Sequence, residues 1–294
     1  MFHGVMRGLQ GSDQQPDRNL VMHRERGAPV CTGKIQPFSL SILRASVSLF
    51  ALVALPVLCG PLNDTGIQTC GDSTTTSTSN CTVAIVGDQG TFPRQDARYG
   101  LDAKQAGQGF SFTKISNSGA VLTEPVGQPG PNPTDWACTL DNVTGLLWEV
   151  KTSGQPADLR SQNYTYTWYN TDPASNGGDA GTLTVTSAVC RSSTGNCNTQ
   201  QYVAEVNAAS LCGHSSGWRL PTVKELEQIV DFSQLYPAID TNYFPNTPNR
   251  YFWTSTLDSV DNLYAWIVDN STGIVGSQVR WGPLPVRLVW GAAK

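Results

Sequence analysis

Charge is the first thing this sequence has little of: Asp, Glu, Lys and Arg together make 14% of its 294 residues, and histidine occurs three times. So few ions leave no long self-repelling stretch, and with 39% hydrophobic residues the chain can bury a core as one large domain or two small ones. No His-Glu-x-x-His occurs, so the helical zinc pair of metalloproteases is absent, and Gly213-His214-Ser215-Ser216-Gly217 reads as a loop with a solvated histidine. No cysteine pair has Cys-x-x-Cys spacing and His214 is the one histidine beyond position 59, which denies a zinc knuckle its ligands.

The chain also lacks a comfortable membrane span. The uncharged apolar run from Ala45 to Leu58 falls short of the roughly 20 residues a helix needs to cross a bilayer. Arg24, Arg26, Lys34 and Arg44 precede it, so residues 1–59 read as a leader whose signal-peptide core is cut near Cys59 or Gly60. A start at Met22 would make that leader an ordinary length, and Leu58 is bulkier than a lipoprotein signal wants before Cys59. The reading is a secreted or cell-envelope protein.

Cleavage would remove six of the 19 Lys and Arg and three of the 23 Asp and Glu, leaving 13 against 20 and a formal charge of −7. Phosphate backbones are bound by clustered cations, so nucleic acid is excluded as the expected partner. Six cysteines remain, and an even count in an exported chain reads as disulfides with fifteen possible connectivities. Pairing neighbours gives Cys70–Cys81, Cys190–Cys197 and Cys138–Cys212.

What is plentiful is Gly, Thr, Asn, Ser and Trp, which suits short strands joined by polar turns. The expected fold class is α+β, with two helices flanking antiparallel sheets, rich in loops and stabilised by disulfides. Residues 60–133 form a Thr/Gly/Pro-rich N-terminal region, and Gly127 to Pro133 is the best boundary before a domain spanning 134–294.

Within that domain Thr222 and Glu225 stand three apart after Pro221, a capping box that starts a helix carrying Val223, Leu226, Ile229 and Val230 on one face. Trp218 to Leu220 is a straight approach to it, with Trp218 and Leu220 core, Arg219 a hydrogen-bond donor and Glu225 a cap. Upstream, Gln200 to Leu211 predicts a helix ending at Gly213, and Trp136 to Lys151 two short strands joined at Asp141–Gly145. Their inward set is either Leu147 and Val150 or Leu146 and Trp148. Tyr164 to Tyr169 reads as an alternating aromatic strand, more simply core than a sugar-stacking platform. Strands follow at Tyr251–Thr256, Tyr264–Asp269, Ile274–Gly276 and Pro285–Trp290.

The phrase Gly217-Trp218-Arg219-Leu220-Pro221-Thr222-Val223-Lys224-Glu225-Leu226 resembles the signature of the bacterial DUF1566 family, the C-terminal domain of Legionella collagen-like protein. Three more blocks match in order: Asp141-Asn142-Val143-Thr144-Gly145-Leu146-Leu147-Trp148-Glu149, the strands from Tyr251 and Tyr264, and Val286-Arg287-Leu288-Val289. Asn63-Asp64-Thr65-Gly66 and Arg94 to Gly100 resemble segments that precede the family domain. Trp290 departs from the pattern, because the family commonly has a basic residue there.

The resemblance implies a C-type lectin-like fold, and adhesion to glycans as the family's activity. It places the segment between Thr256 and Tyr264, and Ser277 to Pro283, in the long loop region of such a fold. Candidate ligand-binding residues are therefore Asp258, Asp261 and Asn262, with Arg280 and Trp281 as a guanidinium and ring for a glycan, and Arg219. The acidic turns could hold calcium, although no Glu-Pro-Asn or Gln-Pro-Asp sugar motif accompanies them, and the plain reading is turns. The Arg-Leu-Pro-Thr phrase also looks like that of formylglycine-generating enzymes, whose copper is held by cysteines late in the chain, but no cysteine follows Cys212. The expectation is a non-enzymatic binding protein with no cofactor and no resident metal. Its partner is a glycan or a protein ligand at the cell surface, and the sequence leaves its oligomeric state open.

Overall fold

The computed structural model describes residues 62–67, 69, 96, 109–154 and 158–292, within one unit that runs from Gly60 to Lys294. The apolar run 45–58, Cys59 and the Cys70–Cys81 pair lie outside the described residues.

The strands obey their side chains. Phe112–Ser116 (β1) pairs antiparallel with Trp136–Asp141 (β2), and β2 with Leu147–Glu149 (β3). The β2–β3 turn is built by Asp141, whose Oδ1 accepts the amides of Val143 and Thr144 and whose Oδ2 accepts the Thr144 hydroxyl at 2.6 Å. Gly145 closes it at φ +73°, a conformation that favours glycine. Val289–Trp290 (β8) joins β3 to Trp218–Arg219 (β4), which completes a five-stranded sheet in the order β1-β2-β3-β8-β4. Tyr251–Leu257 (β5), Tyr264–Asp269 (β6) and Val275–Val279 (β7) make a second sheet in sequence order.

Both candidate inward sets of β3 are buried. Leu147 packs in a core with Tyr166, Trp168, Tyr202, Trp218, Trp253 and Leu288, while Leu146 and Trp148 pack in a second core with Leu226, Ile229, Phe244, Phe252 and Val289. The sheet has a core on each face, so its strands read as continuous apolar runs rather than alternating ones. This is an α+β architecture.

The helices are shorter than the periodicity suggests. Thr199–Ala208 (α1) is capped by Asn198, whose side chain accepts the Gln201 amide. It stops before Leu211 because Ser210 and Cys212 turn left-handed, at φ 53° and 51°, and Leu211–Gly213 is a 3-10 turn. Val223–Glu227 (α2) has both halves of the predicted capping box. It ends where Ile229 and Val230 bond back three residues, to Leu226 and Glu227, a tighter turn that carries both side chains into the second core.

The aromatic stretch from Tyr164 is not a regular strand. The amides of Thr165, Tyr166, Thr167 and Trp168 go to Val189, Leu284, Cys197 and Arg280 in turn, four separate segments instead of one neighbour. Likewise Pro285–Leu288 is extended without a ladder, because the Leu288 amide is taken by the Glu149 carboxylate.

Hydrogen bonding crosses the Pro-rich stretch 127–133, since β1 lies before it and β2 after it. Buried Arg160 grips it: Nη2 donates to the Gly130 carbonyl at 2.6 Å, while Nη1 donates to Ala137 and Val150.

Two disulfides are formed, Cys138–Cys212 and Cys190–Cys197, as neighbour pairing predicts. The first spans 74 residues and ties β2 to the end of α1, the second spans seven. By loop-closure entropy the Cys138→Ala/Cys212→Ala double variant should lose about 4.5 kcal/mol and the Cys190→Ala/Cys197→Ala variant about 2.5 kcal/mol. Urea unfolding of the two variants checks this; equal losses would contradict the ordering.

Candidate functional site

The residues picked out as ligand-binding do not converge. Arg280 follows β7 directly and is 2% exposed, with Nη1 donating to the Asp179 carbonyl at 2.8 Å and its guanidinium 5.0 Å from the Trp168 ring centre. It fastens the Gly-rich turn 176–181 onto the core. Trp281, its neighbour, is 49% exposed. Ser277 to Val279 belongs to β7 rather than to a loop, although the turn 258–263 does meet this end of the strand, where the Arg280 amide donates to Leu263.

Asp258 and Asp261 each cap their own turn, accepting the amides of Val260 and Leu263 at 2.9 Å, and Asn262 is exposed beside them. Among the described residues no group of three or more His, Cys, Asp or Glu is placed to hold a metal ion.

Arg219 is held in place by its partners. Its Nη1 and Nη2 each donate to a Glu225 oxygen at 2.8 Å, and the remaining N–H groups go to the carbonyls of Leu220 and Gly291. All five donors of the guanidinium are used, and its charge is neutralised by a carboxylate that also caps α2 through the Thr222 amide. The structural reading of both residues describes them.

Arg219 nevertheless forms a wall of a cleft of about 310 Å³, between the first turn of α1, the β4–α2 junction and β5. Tyr169, Val203 and Leu220 give it apolar surface, while Asn170, Gln200, Thr222 and Ser255 give it polar groups. Thr199 fixes the Tyr169 backbone from both sides, its Oγ1 accepting the amide and donating to the carbonyl at 2.9 Å. Gln200 accepts the Thr171 amide at 2.7 Å through Oε1. The Tyr169 hydroxyl and the Gln200 amide nitrogen bond to no described residue.

Beneath β3 lies a set of buried ions that sequence reasoning did not bring together: Arg287 reads from sequence as one of four arginines, with Arg219, Arg250 and Arg280, able to form a surface basic patch, and it is buried instead. Glu149, fully buried, accepts Lys151 Nζ at 2.6 Å, the Tyr202 hydroxyl, and the Leu288 amide at 2.9 Å. Arg287, also fully buried, donates to the Glu149 carbonyl and the Thr247 hydroxyl, both at 2.6 Å. The signal was available, because Glu149 and Arg287 are charged residues of two of the four matched blocks and each is flanked on both sides by apolar neighbours. Burial lowers the pKa of Lys151 against the pull of Glu149, and lowers that of Arg287 to about 10. Burial, reinforced by the Glu149 charge, raises the phenols of Tyr166 and Tyr202 well above the ordinary tyrosine value.

The sequence model of the Lcl C-terminal domain matches residues 137–290, which holds the β2–β3 turn, the capping box, the buried ions and the cleft. The chain belongs to the Lcl C-terminal domain family. No curated protein and no solved structure matches it. In this Lcl C-terminal domain the position that departs from the family pattern, Trp290, stacks on His214 with ring centres 3.8 Å apart and donates to the Ser216 carbonyl. Among the described residues no helix is long and apolar enough to cross a membrane.

The buried ions give two tests. Replacing Glu149 by Ala leaves Lys151 buried without its counter-ion and the Leu288 amide unpaired, so Glu149→Ala should cost about 3–5 kcal/mol in urea unfolding. A loss below 1 kcal/mol would show that the cluster is not closed to water. The second test is pH. Tyr166 and Tyr202 keep protons in the fold that the unfolded chain releases near pH 10, so their stabilisation is whole below about pH 10 and is lost as pH rises through the raised values. Lys151 and Arg287 have the opposite sign, because the fold lowers their pKa values. In an absorbance titration two of the nine tyrosines should stay protonated until the domain unfolds, and Tyr202→Phe should leave one. Simultaneous ionisation of all nine in folded protein would refute it.

Proposed function

We propose that this Lcl C-terminal domain is an exported, non-enzymatic binding module with a C-type lectin-like arrangement, and that its ligand is a neutral saccharide held in the cleft between α1 and the β4–α2 junction. The observation that carries this reading is the cleft's own chemistry. Its walls combine a half-buried tyrosine ring with hydroxyl and amide groups, and the Tyr169 hydroxyl and Gln200 amide nitrogen bond to no described residue. Sugars present C–H faces for aromatic rings and hydroxyls for amides, and such a lining suits both.

Neutrality follows from Arg219. Its guanidinium is matched by Glu225, so the cleft offers no free cation to a sulfate or carboxylate, and the acidic charge expected of the exported chain disfavours polyanions at longer range. The cleft has no acid, histidine, lysine or cysteine among its lining residues, and the hydroxyl of Thr199 is bound to backbone, so the lining supplies no nucleophile with a base beside it. Export rests on the apolar run 45–58 behind its basic leader.

A glycan-array screen of the disulfide-intact protein tests the proposal. Selective signal on neutral glycans should fall about tenfold or more in Tyr169→Ala and in Gln200→Ala while melting temperature holds. Silence across neutral and sulfated glycans, or binding that both variants retain, would overturn it and leave a protein ligand as the alternative.

A further inference from the structure

Of the four edges of the two sheets, three are met by their own chain. The β1 edge bonds to Ala120 and Leu122, the β4 edge is closed by the Asn207 side chain, and the β5 edge gives the amides of Trp253 and Ser255 to Pro285 and Pro221. The fourth edge, β7, is not closed in this way.

Its register says which groups are free. Asp269 donates to Ile274 and Arg280 donates to Leu263, so the residues at 274, 276, 278 and 280 face the β6 ladder. Val275, Ser277 and Val279 therefore turn their backbone groups outward. Val279 is used locally, its amide by the Gln278 side chain at 3.0 Å and its carbonyl by Gly282. Val275 and Ser277 remain, each with an N–H and a C=O that no described residue meets.

Natural edges are usually blunted by lysine, proline or a bulge. From Ile274 to Val279 the sequence is Ile-Val-Gly-Ser-Gln-Val, without a charge or a proline, and its register with β6 is unbroken. Large apolar side chains are exposed at both ends, Ile274 at 66% beside the strand's start and Trp281 at 49% just past its finish.

We propose that β7 is the interface of a two-fold dimer, in which a second copy of this chain pairs antiparallel through Val275 and Ser277 across an axis at Gly276. The free groups fit themselves. With Gly276 opposite Gly276 of the other copy, Val275 and Ser277 of one strand fall opposite Ser277 and Val275 of its mate, and each pair exchanges two hydrogen bonds. All four free groups on each copy are then satisfied, and two three-stranded sheets become one of six strands. The absence of charge on the strand is what lets two acidic molecules meet here. A glycine on the axis lets the closest pair approach without side chains.

The test uses that axis. A Cβ at Gly276 would lie 3.9 Å from Ile267 Cγ1, an ordinary contact, so charged side chains there leave the fold intact. In sedimentation velocity on the full, disulfide-intact chain, the wild type dimerises in a concentration-dependent way. Gly276→Lys alone and Gly276→Glu alone weaken self-association at least about tenfold through like charges placed face to face, and an equal mixture of the two restores a dimer. Ser277→Pro, which removes an outward N–H and no β6 bond, abolishes it independently. A wild type that is monomeric at every concentration reached overturns the proposal. So does a dimer that survives both charge variants or Ser277→Pro, and so does a mixture that fails to pair.

Discussion

The domain depends on one carboxylate. Glu149 sits where β3 ends, and through it three parts of the chain that are far apart in sequence meet: Lys151 just beyond β3, Tyr202 on α1 and the Leu288 amide ahead of β8. Its own carbonyl is taken by Arg287, so the last extended segment is held to β3 by two kinds of bond from one residue. An ion that leaves water gives up several kcal/mol of hydration, and the cluster returns it only when every member is in place. The arrangement adds little to net stability compared with a packed apolar centre, but it makes any other register between β3, β8 and α1 costly. Its value lies in specificity.

The same logic explains why charge is scarce. Glu149, Lys151, Arg160, Arg280 and Arg287 are all buried, and each reaches backbone or a counter-charge. Arginine dominates that set because a planar fork can bind several carbonyls at once. Charge also stands outside, as at Asp172, Lys224, Arg250 and Asp261, but the cleft and the β7 edge present hydroxyls, amides, apolar side chains and backbone, which suits neutral partners and backbone pairing.

What could be read in the sequence was what is local. The capping box, the Asp141 turn and the short Cys190–Cys197 bridge join residues close in sequence, and they are found as expected; Cys138–Cys212, which spans 74 residues, was reached by pairing off the cysteines that remained. The strand at Tyr164 was not legible as it is, since its amides answer to four segments brought together only by folding. Adjacent residues also parted: Arg280 and Trp281, read as one guanidinium-and-ring pair, point to opposite fates because the strand ends between core and solvent. Arg219 was legible as a donor, yet the cleft it borders joins residues from 168 to 255 and has no linear signature.

Arg160 has a consequence for how this domain can be divided. Holding Gly130, Ala137 and Val150 together makes the Pro-rich stretch a fixed wall, not a tether between independent parts. A recombinant fragment begun at position 134, where composition changes and where the family match begins nearby, would lose β1 and the Gly130 carbonyl. It would bring the flank of β2 that β1 covers into solvent and leave part of a buried guanidinium unpaired, two features that favour aggregation of a sheet. The fragment that behaves as a molecule starts well upstream of the point where the family pattern becomes recognisable.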